Sequence, residues 1–272
     1  MILPPNTIIA QRYLIKELIG QGAISEVYLV FDMGKKDFKA LKLLISHLLP
    51  GNYSLPSLMN QIEASYELDH PNIVSVSEIG STSEGIFITM PFVRGKNLRK
   101  WMEEETLNQS EAINAILCLV SDIGGALQYA HSKGITHRDI KPSNIMVDEK
   151  GKFHLLDFGA AIFKNQGTNS DETMFLGTPP YHPPKIFFQY NKSSTSVDIY
   201  SFAYIIGELI DRFFYPFSGL QEPLRQTIEA SRKVINEALT ATSEEKYSDI
   251  KSLCHNLEGT LTTYATTNTP TG

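Results

Sequence analysis

Residues 135–159 read ITHRDIKPSNIMVDEKGKFHLLDFG, and no other stretch narrows the fold as far. Asp139, Lys141 and Asn144 fall within six positions, and Asp157 follows 18 residues after Asp139. For any one of these side chains, a solvated polar turn between apolar runs is the ordinary reading. The set at this spacing points elsewhere. Asn144 and Asp157 offer two hard oxygen donors, which suit Mg²⁺ and the phosphates it bridges. Asp139 can accept the proton of an attacking hydroxyl, and Lys141 can stabilise charge on a phosphoryl group in transfer.

The surrounding chain changes character once. Residues 13–45 alternate in the manner of strands: YLIKELIG, EVYLVFD and FKALKLL are short, apolar or β-branched, and separated by Gly, Asp or Lys turns. Residues 56–69, PSLMNQIEASYELD, have a helical pattern with Leu58, Ile62, Ser65 and Leu68 near one face. NIVSVSEIG and GIFITMPFV read as two more strands, so residues 1–93 predict a five-stranded sheet with one main helix. After RGKN, Ser110 is placed to N-cap a long helix, SEAINAILCLVSDIGGALQYAHSKG, closed by Gly134. Its paired Gly124-Gly125 either weakens that helix or permits close packing. Short extended runs follow at 144–147 and 153–156, then a loop-rich segment over 157–195, then helices from Val197 onward. The expected architecture is α+β: a β-rich lobe over 1–93, a hinge near 91–97 and an α-rich lobe over 94–259. The last 13 residues, TLTTYATTNTPTG, hold seven Thr and no charge and read as a disordered tail or a truncated linker.

The β-rich half carries its own polar signals. LIGQGAISEVYLV places Gly20 and Gly22 on a strand-turn-strand, where a missing Cβ lets backbone N–H groups approach phosphate oxygens. Two glycines in a hairpin are weak evidence alone, and the third position of the usual glycine pattern is Ser25. Lys42 lies 22 residues after Gly20, flanked by Ala40, Leu41 and Leu43. A charge in so apolar a strand calls for an anionic partner, and a nucleotide phosphate would serve.

Taken in order, HRDIKPSN, DFG, the glycine hairpin and the strand lysine resemble a eukaryotic-like Ser/Thr protein kinase of the bacterial type, over roughly residues 13–257. The resemblance implies a bilobal kinase fold, with a five-stranded antiparallel N-lobe, a helical C-lobe and Mg-ATP bound in a cleft, Mn²⁺ being an alternative metal. It implies that Ile19, Gly20, Gln21, Gly22, Ser25 and Val27 cover the phosphates and that Lys42 contacts them. Val27, Ala40 and Met146 would sandwich adenine, Met90 would be the gatekeeper, and Phe92 and Val93 would make hinge backbone contacts. Pro91 lacks an N–H, but that hinge position offers only its carbonyl. Lys141 in DIKPSN is the Ser/Thr-kinase form; Thr178 in GTPPY would contact Asp139 and Lys141; Asp198 in SVDIYSF would anchor the catalytic loop backbone. Arg138 would attract a phosphate on the activation segment, with Thr168, Ser170 and Thr173 as candidates.

Three positions depart from the family pattern. The small-lobe helix glutamate that pairs with the strand lysine is Gln61 by count from Pro71, and Glu63, about 200° around a helix from it, points away. Gln61 can accept one hydrogen bond from Lys42 but cannot neutralise it, at roughly half the strength of a charge-assisted bond. HPPK replaces the usual APE, so Lys185 stands for a Glu whose Arg partner would be Lys246. Two lysines cannot pair, which turns Lys185 toward solvent or toward Glu244 or Glu245. Two acidic positions that read a basic substrate residue in basophilic relatives are Asn97 and Ser143, so no strong Arg requirement is expected.

Composition excludes other classes. A net charge of -6 argues against nucleic acid as a partner. Cys118 and Cys254 are far apart in sequence, so a disulfide framework or a Cys-based zinc site is not expected, and a reducing, cytoplasmic compartment is. Cys118, inside AILCLV, reads as a small buried thiol. No apolar run reaches the roughly 18 residues of a membrane span, and the N-terminus does not read as a signal peptide. The leading expectation is a Ser/Thr protein kinase acting on protein substrates, with a homodimer serving trans-autophosphorylation. A nucleotide-binding pseudokinase, favoured by Gln61, Ser25 and Lys185, is the alternative. A small-molecule kinase of the aminoglycoside or choline type is disfavoured by GTPPYHPP and by Lys141.

Overall fold

Alternating apolar residues near the N-terminus build a twisted antiparallel sheet, and 3.6-residue periodicity later in the chain builds helices. The computed structural model describes residues 2–22, 25–45, 68–158, 179–184, 195–240 and 247–267. The chain divides into two units, Met1–Asp69 with Val74–Arg94, and His70–Ile73 with Gly95–Gly272.

The first unit is a six-stranded sheet of β1 (Ile8–Ile9), β2 (Tyr13–Gln21), β3 (Ser25–Asp32), β4 (Asp37–Ile45), β5 (Glu78–Ser81) and β6 (Gly85–Pro91), in the order β1-β2-β3-β4-β6-β5. Five strands were expected; β1 is the sixth, a two-residue strand pairing Ile8 with Leu14 and Ile9 with Tyr13. It is too short to show a period, so the sequence did not announce it. One face of the sheet buries Ile9, Tyr13, Ile15, Tyr28, Val30, Leu41, Leu43 and Phe87. Each side chain of this size contributes about 1.5–3 kcal/mol when fully buried.

The strand expected over NIVSVSEIG shrinks to Glu78–Ser81. Its first residues are used by the second unit instead: Leu155 N–H donates to Asn72 O at 2.8 Å, and Asn72 Nδ2 donates to Phe153 O at 2.8 Å.

The second unit contains β7 (Gly95–Asn97), α1 (Leu98–Glu104), α2 (Gln109–Ser132), a 3₁₀ turn (Pro142–Asn144), β8 (Ile145–Asp148), β9 (Phe153–Leu155), α3 (Ser196–Phe214), α4 (Leu224–Ala238) and α5 (Ile250–Thr267). Strands β7, β8 and β9 form a small antiparallel sheet. The long helix starts earlier than Ser110. Asn108 is its N-cap: the side chain accepts from Glu111 N–H, while Glu111 accepts from Asn108 N–H, a closed capping box. Gly124 permits close packing, because a Cβ there would collide with Cys254 Sγ on α5. Burial pushes the Cys254 thiol up to about 12. Cys118, expected inside, is exposed; it lies two residues from buried Ile116 and Val120, on the opposite side of the helix.

Residues 260–267, expected to be tail or linker, continue α5. Ile250, Leu253, Leu257 and Leu261 are buried at helical spacing, an apolar stripe that the threonines obscure. By length and composition α2 could cross a membrane, but half of its most apolar window is buried inside the protein, as in a core helix. Among the described residues no other helix meets that test. The helix expected over 56–69, apart from its last two residues, lies outside the described residues, as do Gln61, Glu63, Thr168, Ser170, Thr173, Thr178, Lys185, Glu244, Glu245 and Lys246.

Candidate active site

In the first unit, strand register collects the expected nucleotide residues on one face. Val27 lies opposite Lys42, which lies opposite Ile88; Ala40 lies between Leu29 and Met90. Directly opposed side chains share a face and successive ones alternate. Val27, Ala40, Lys42 and Met90 are therefore together, on the side away from the Tyr28–Leu41 core pair. At the turn end of the β2–β3 hairpin, Gly20 pairs with Val27 and Gln21 with Glu26. Gly22 N–H donates to Ser25 O at 2.7 Å, closing the turn. Ile19 is exposed on β2. Phe92 and Val93 follow β6, half-buried, near the end of this unit.

In the second unit, the polar loop is held from several directions. Asp139 Oδ2 is 2.7 Å from Lys141 Nζ. Asn144 Nδ2 donates to Asp139 O at 2.8 Å and to Asp139 Oδ2 at 3.1 Å. Those bonds commit the amide nitrogen of Asn144 to Asp139, which leaves its Oδ1 as the ligand oxygen of the side chain. Asn144 O accepts from Leu156 N–H at 2.8 Å, tying the 3₁₀ turn to the residue before Asp157. Met146 lies on β8 opposite Asn97 and His154.

Beneath the loop sits Asp198, fully buried near the start of α3. Its carboxylate accepts from His137 N–H (2.8 Å), from Arg138 N–H (2.7 Å) and contacts His131 Nε2 (2.8 Å). A buried carboxylate is tolerated when its oxygens are bonded in this way. The His137 ring adds a second tie: Nε2 faces Leu156 O at 2.8 Å, and Nδ1 accepts from Asp139 N–H at 3.3 Å. A carbonyl only accepts, so the ring proton is on Nε2. Phe158 packs against the same ring, with centroids 4.7 Å apart.

Arg138 and Asp157 have φ of 66° and 60°, a left-handed conformation costly for non-glycine residues. Such backbone persists only where its surroundings over-determine it, and the ties of Asp198 and Leu156 provide that here. Burial pushes the Arg138 guanidinium down from its usual range, and the charge of Asp198 partly offsets this. His131 and His137 were not singled out from sequence. His137 could have been, since it adjoins Arg138, whereas nothing local marks His131.

Asn144 and Asp157 are oxygen donors and fit a hard divalent cation that takes its remaining ligands from phosphates and water. Among the described residues, no cluster of three His, Cys, Asp or Glu side chains could hold a metal by itself.

Known proteins match this chain along most of its length. The family model for the protein kinase domain matches residues 13–265. The serine/threonine-protein kinase PknD of Chlamydia muridarum is 30% identical over 234 residues, covering 75% of this chain and 25% of that protein. The probable serine/threonine-protein kinase PknB of Lactococcus lactis is 30% identical over 273 residues, covering 95% of this chain and 42% of that protein. This chain thus spans from a quarter to under half of the length of these relatives. The crystal structure of the Mycobacterium tuberculosis PknI kinase domain superposes with a TM-score of 0.70 at 22% identity, over 96% of this chain and all of that one. At that identity the likeness shows the shared fold.

Proposed function

The chain belongs to the protein kinase domain family, in its bacterial Ser/Thr branch, and from that premise we propose that it transfers the γ-phosphoryl of ATP to protein Ser and Thr hydroxyls. The carrying observation is the Asp139 carboxylate, oriented at once by Lys141 Nζ at 2.7 Å and Asn144 Nδ2 at 3.1 Å. Asp139 accepts the hydrogen bond of the incoming hydroxyl and takes its proton as the new oxygen–phosphorus bond forms and the bond from the γ-phosphorus to the β,γ-bridging oxygen breaks, with ADP leaving. Lys141 shares its charge between Asp139 and the moving phosphoryl oxygens. Lys42, on the Val27–Ala40–Met90 face, binds nucleotide phosphate. Asn144 Oδ1 and Asp157 would hold a divalent cation, read as Mg²⁺ with Mn²⁺ as a substitute, which would supply neutralisation of phosphate charge.

The substrate reading is a protein hydroxyl without a strong basic requirement upstream. Asn97 is neutral, and its side chain already accepts Lys100 N–H as the N-cap of α1. A peptide library dominated by Arg three residues upstream would overturn this. Thr168, Ser170 and Thr173 remain the proposed activation-segment phosphosites, with a homodimer for trans-phosphorylation. A reducing, cytoplasmic setting suits the two free cysteines.

The test is incorporation of label from ATP and Mg²⁺ by the purified chain, beside Asp139→Asn and Gln61→Glu. Label in the wild type that is lost in Asp139→Asn supports the reading. Label only in Gln61→Glu would replace it with a nucleotide-binding module disabled at the helix position.

A further inference from the structure

Glu26 is a carboxylate in an apolar setting, and the proposed chemistry does not use it. It is 2% exposed on β3, opposite Gln21 on one side and Leu43 on the other. Alternation places it with Tyr28 and Val30 on the core face. It therefore faces away from Lys42 and the nucleotide side, so it is no ligand for ATP. Burying a carboxylate costs several kcal/mol unless it is hydrogen-bonded, and an apolar residue would pack here without that cost.

The bond that holds Glu26 comes from Tyr28. The Tyr28 hydroxyl donates to Glu26 Oε2 and accepts Leu3 N–H at 3.0 Å. Tyr28 is itself fully buried. Leu3 is the far end of a strap fastened to β2: Asn6 N–H donates to Ile15 O and Ile15 N–H to Thr7 O, both at 2.9 Å, before β1 pairs with β2. Leu3 also packs against the core cluster. The strap thus grips the sheet through backbone at one end and through Tyr28 to Glu26 at the other.

That second grip lies at the place where ladder pairing is weakest. The β2–β3 register slips between Ile15 and Glu17 and again between Leu18 and Gly20. Beyond the second slip only Gly20–Val27 and Gln21–Glu26 remain paired before the turn. Bulges bend and twist a hairpin, so the pairs beyond them need another constraint to hold one direction.

We propose that Glu26, held by Tyr28 and through it by the Leu3 strap, is the positioning residue that fixes the phosphate-covering end of the β2–β3 hairpin. The proposal rests on the nucleotide reading above for its effect on ATP, but not for its effect on the hairpin. Positioning of this kind acts on nucleotide affinity and leaves the chemistry of Asp139 alone.

Tyr28→Phe removes the shared hydroxyl and little else. The expected result is a roughly tenfold rise in KM for ATP with kcat changed less than twofold. Glu26→Leu should behave alike, and the double variant no worse than either single, because both break one relay. Glu26→Gln keeps an acceptor for the Tyr28 hydroxyl and should stay near wild type. Leu3→Pro deletes the strap N–H at a half-buried site and covers the case in which Tyr28→Phe fails to fold. A second readout needs neither nucleotide nor activity: amide exchange of Leu18–Gln21 should quicken in Tyr28→Phe while β5 and β6 stay unchanged. Unaltered KM with merely lowered melting temperature, or exchange that quickens evenly across the sheet, would overturn the proposal. If the wild type neither binds ATP nor transfers phosphate, the nucleotide reading fails alone, and local quickening of Leu18–Gln21 still supports the relay.

Discussion

Two ways of placing a functional side chain operate in this molecule. On the β3–β4–β6 face, Val27, Ala40, Lys42 and Met90 are positioned by ladder register, so each depends on many weak, interchangeable backbone bonds. In the 137–144 loop there is no ladder, and Asp139 is positioned by a few polar side chains: His137 and Asn144 of the loop itself, and behind them Asp198 of α3, which holds the loop backbone and contacts His131. Ladder placement tolerates substitution of most side chains. Loop placement concentrates the same task in three or four polar groups, each costly to lose.

The largest effect expected from this contrast is chemical. Asp139→Asn should lower phosphoryl transfer about 100- to 10,000-fold with little change in melting temperature, since the loop anchors remain. Measured turnover and thermal unfolding on the same sample would show it. A large stability loss would mean that Asp139 is itself part of the scaffold.

Asp198→Ala should be the largest stability effect. It strands the His137 and Arg138 N–H groups and the His131 ring in a fully buried position, at a cost of about 3–5 kcal/mol. A substitution on the ladder face such as Ala40→Gly should cost clearly less by denaturant unfolding. Equal losses would erase the distinction between the two modes.

The same contrast explains what the sequence could disclose. Period-two alternation is local, so the strands that carry Ala40, Lys42 and Met90 are legible in FKALKLL and GIFITMPFV, while their nucleotide role comes from the resemblance; HRDIKPSN with DFG marks the loop. The anchors are not local: Asp198 was reached only by resemblance, and His131, 67 residues away from it, carried no signal. The apolar neighbours of Cys118 predict burial, whereas counting by 3.6 puts it on the outer stripe, where it lies. Asn108 and Glu111 stand three apart, which is the capping-box spacing, so the true start of α2 was legible. Thr-rich composition concealed α5's last turns, whose apolar stripe ends at Leu261.

Helix packing supplies an intermediate case. In Gly124→Ala the new methyl meets Cys254 Sγ, so overpacking should cost about 1–3 kcal/mol, against a gain of roughly 1 kcal/mol from better helix propensity. Adding Cys254→Ala makes room and should return most of the loss in thermal melts. If the double variant stays as unstable as Gly124→Ala, close approach of α2 and α5 is not the reason for the glycine.

The smallest effect concerns the carboxylate of the first unit that most resembles Asp198. Asp32 accepts Gly34 N–H at 2.9 Å and Lys35 N–H at 3.1 Å, and its two oxygens receive Arg12 Nε and Nη2 at 2.7 Å each. Those bonds, the Arg12 pair foremost, hold the Asp32 carboxyl near about 2, below its ordinary 3.8. A depressed carboxylate stabilises the fold above its unfolded value and loses that contribution as pH falls through its folded value. Arg12→Met should therefore lower the melting temperature by a constant amount above about pH 4. The gap to wild type should narrow as pH drops through about 2, below which Asp32 is protonated in both. Because Arg12 is partly open to solvent, added salt should shrink the gap as well, which would not happen for the buried Asp198. A gap that is independent of pH and salt would mean that Arg12 acts by packing on Tyr13, over whose ring it lies at 5.0 Å, and that Asp32 needs only its backbone donors.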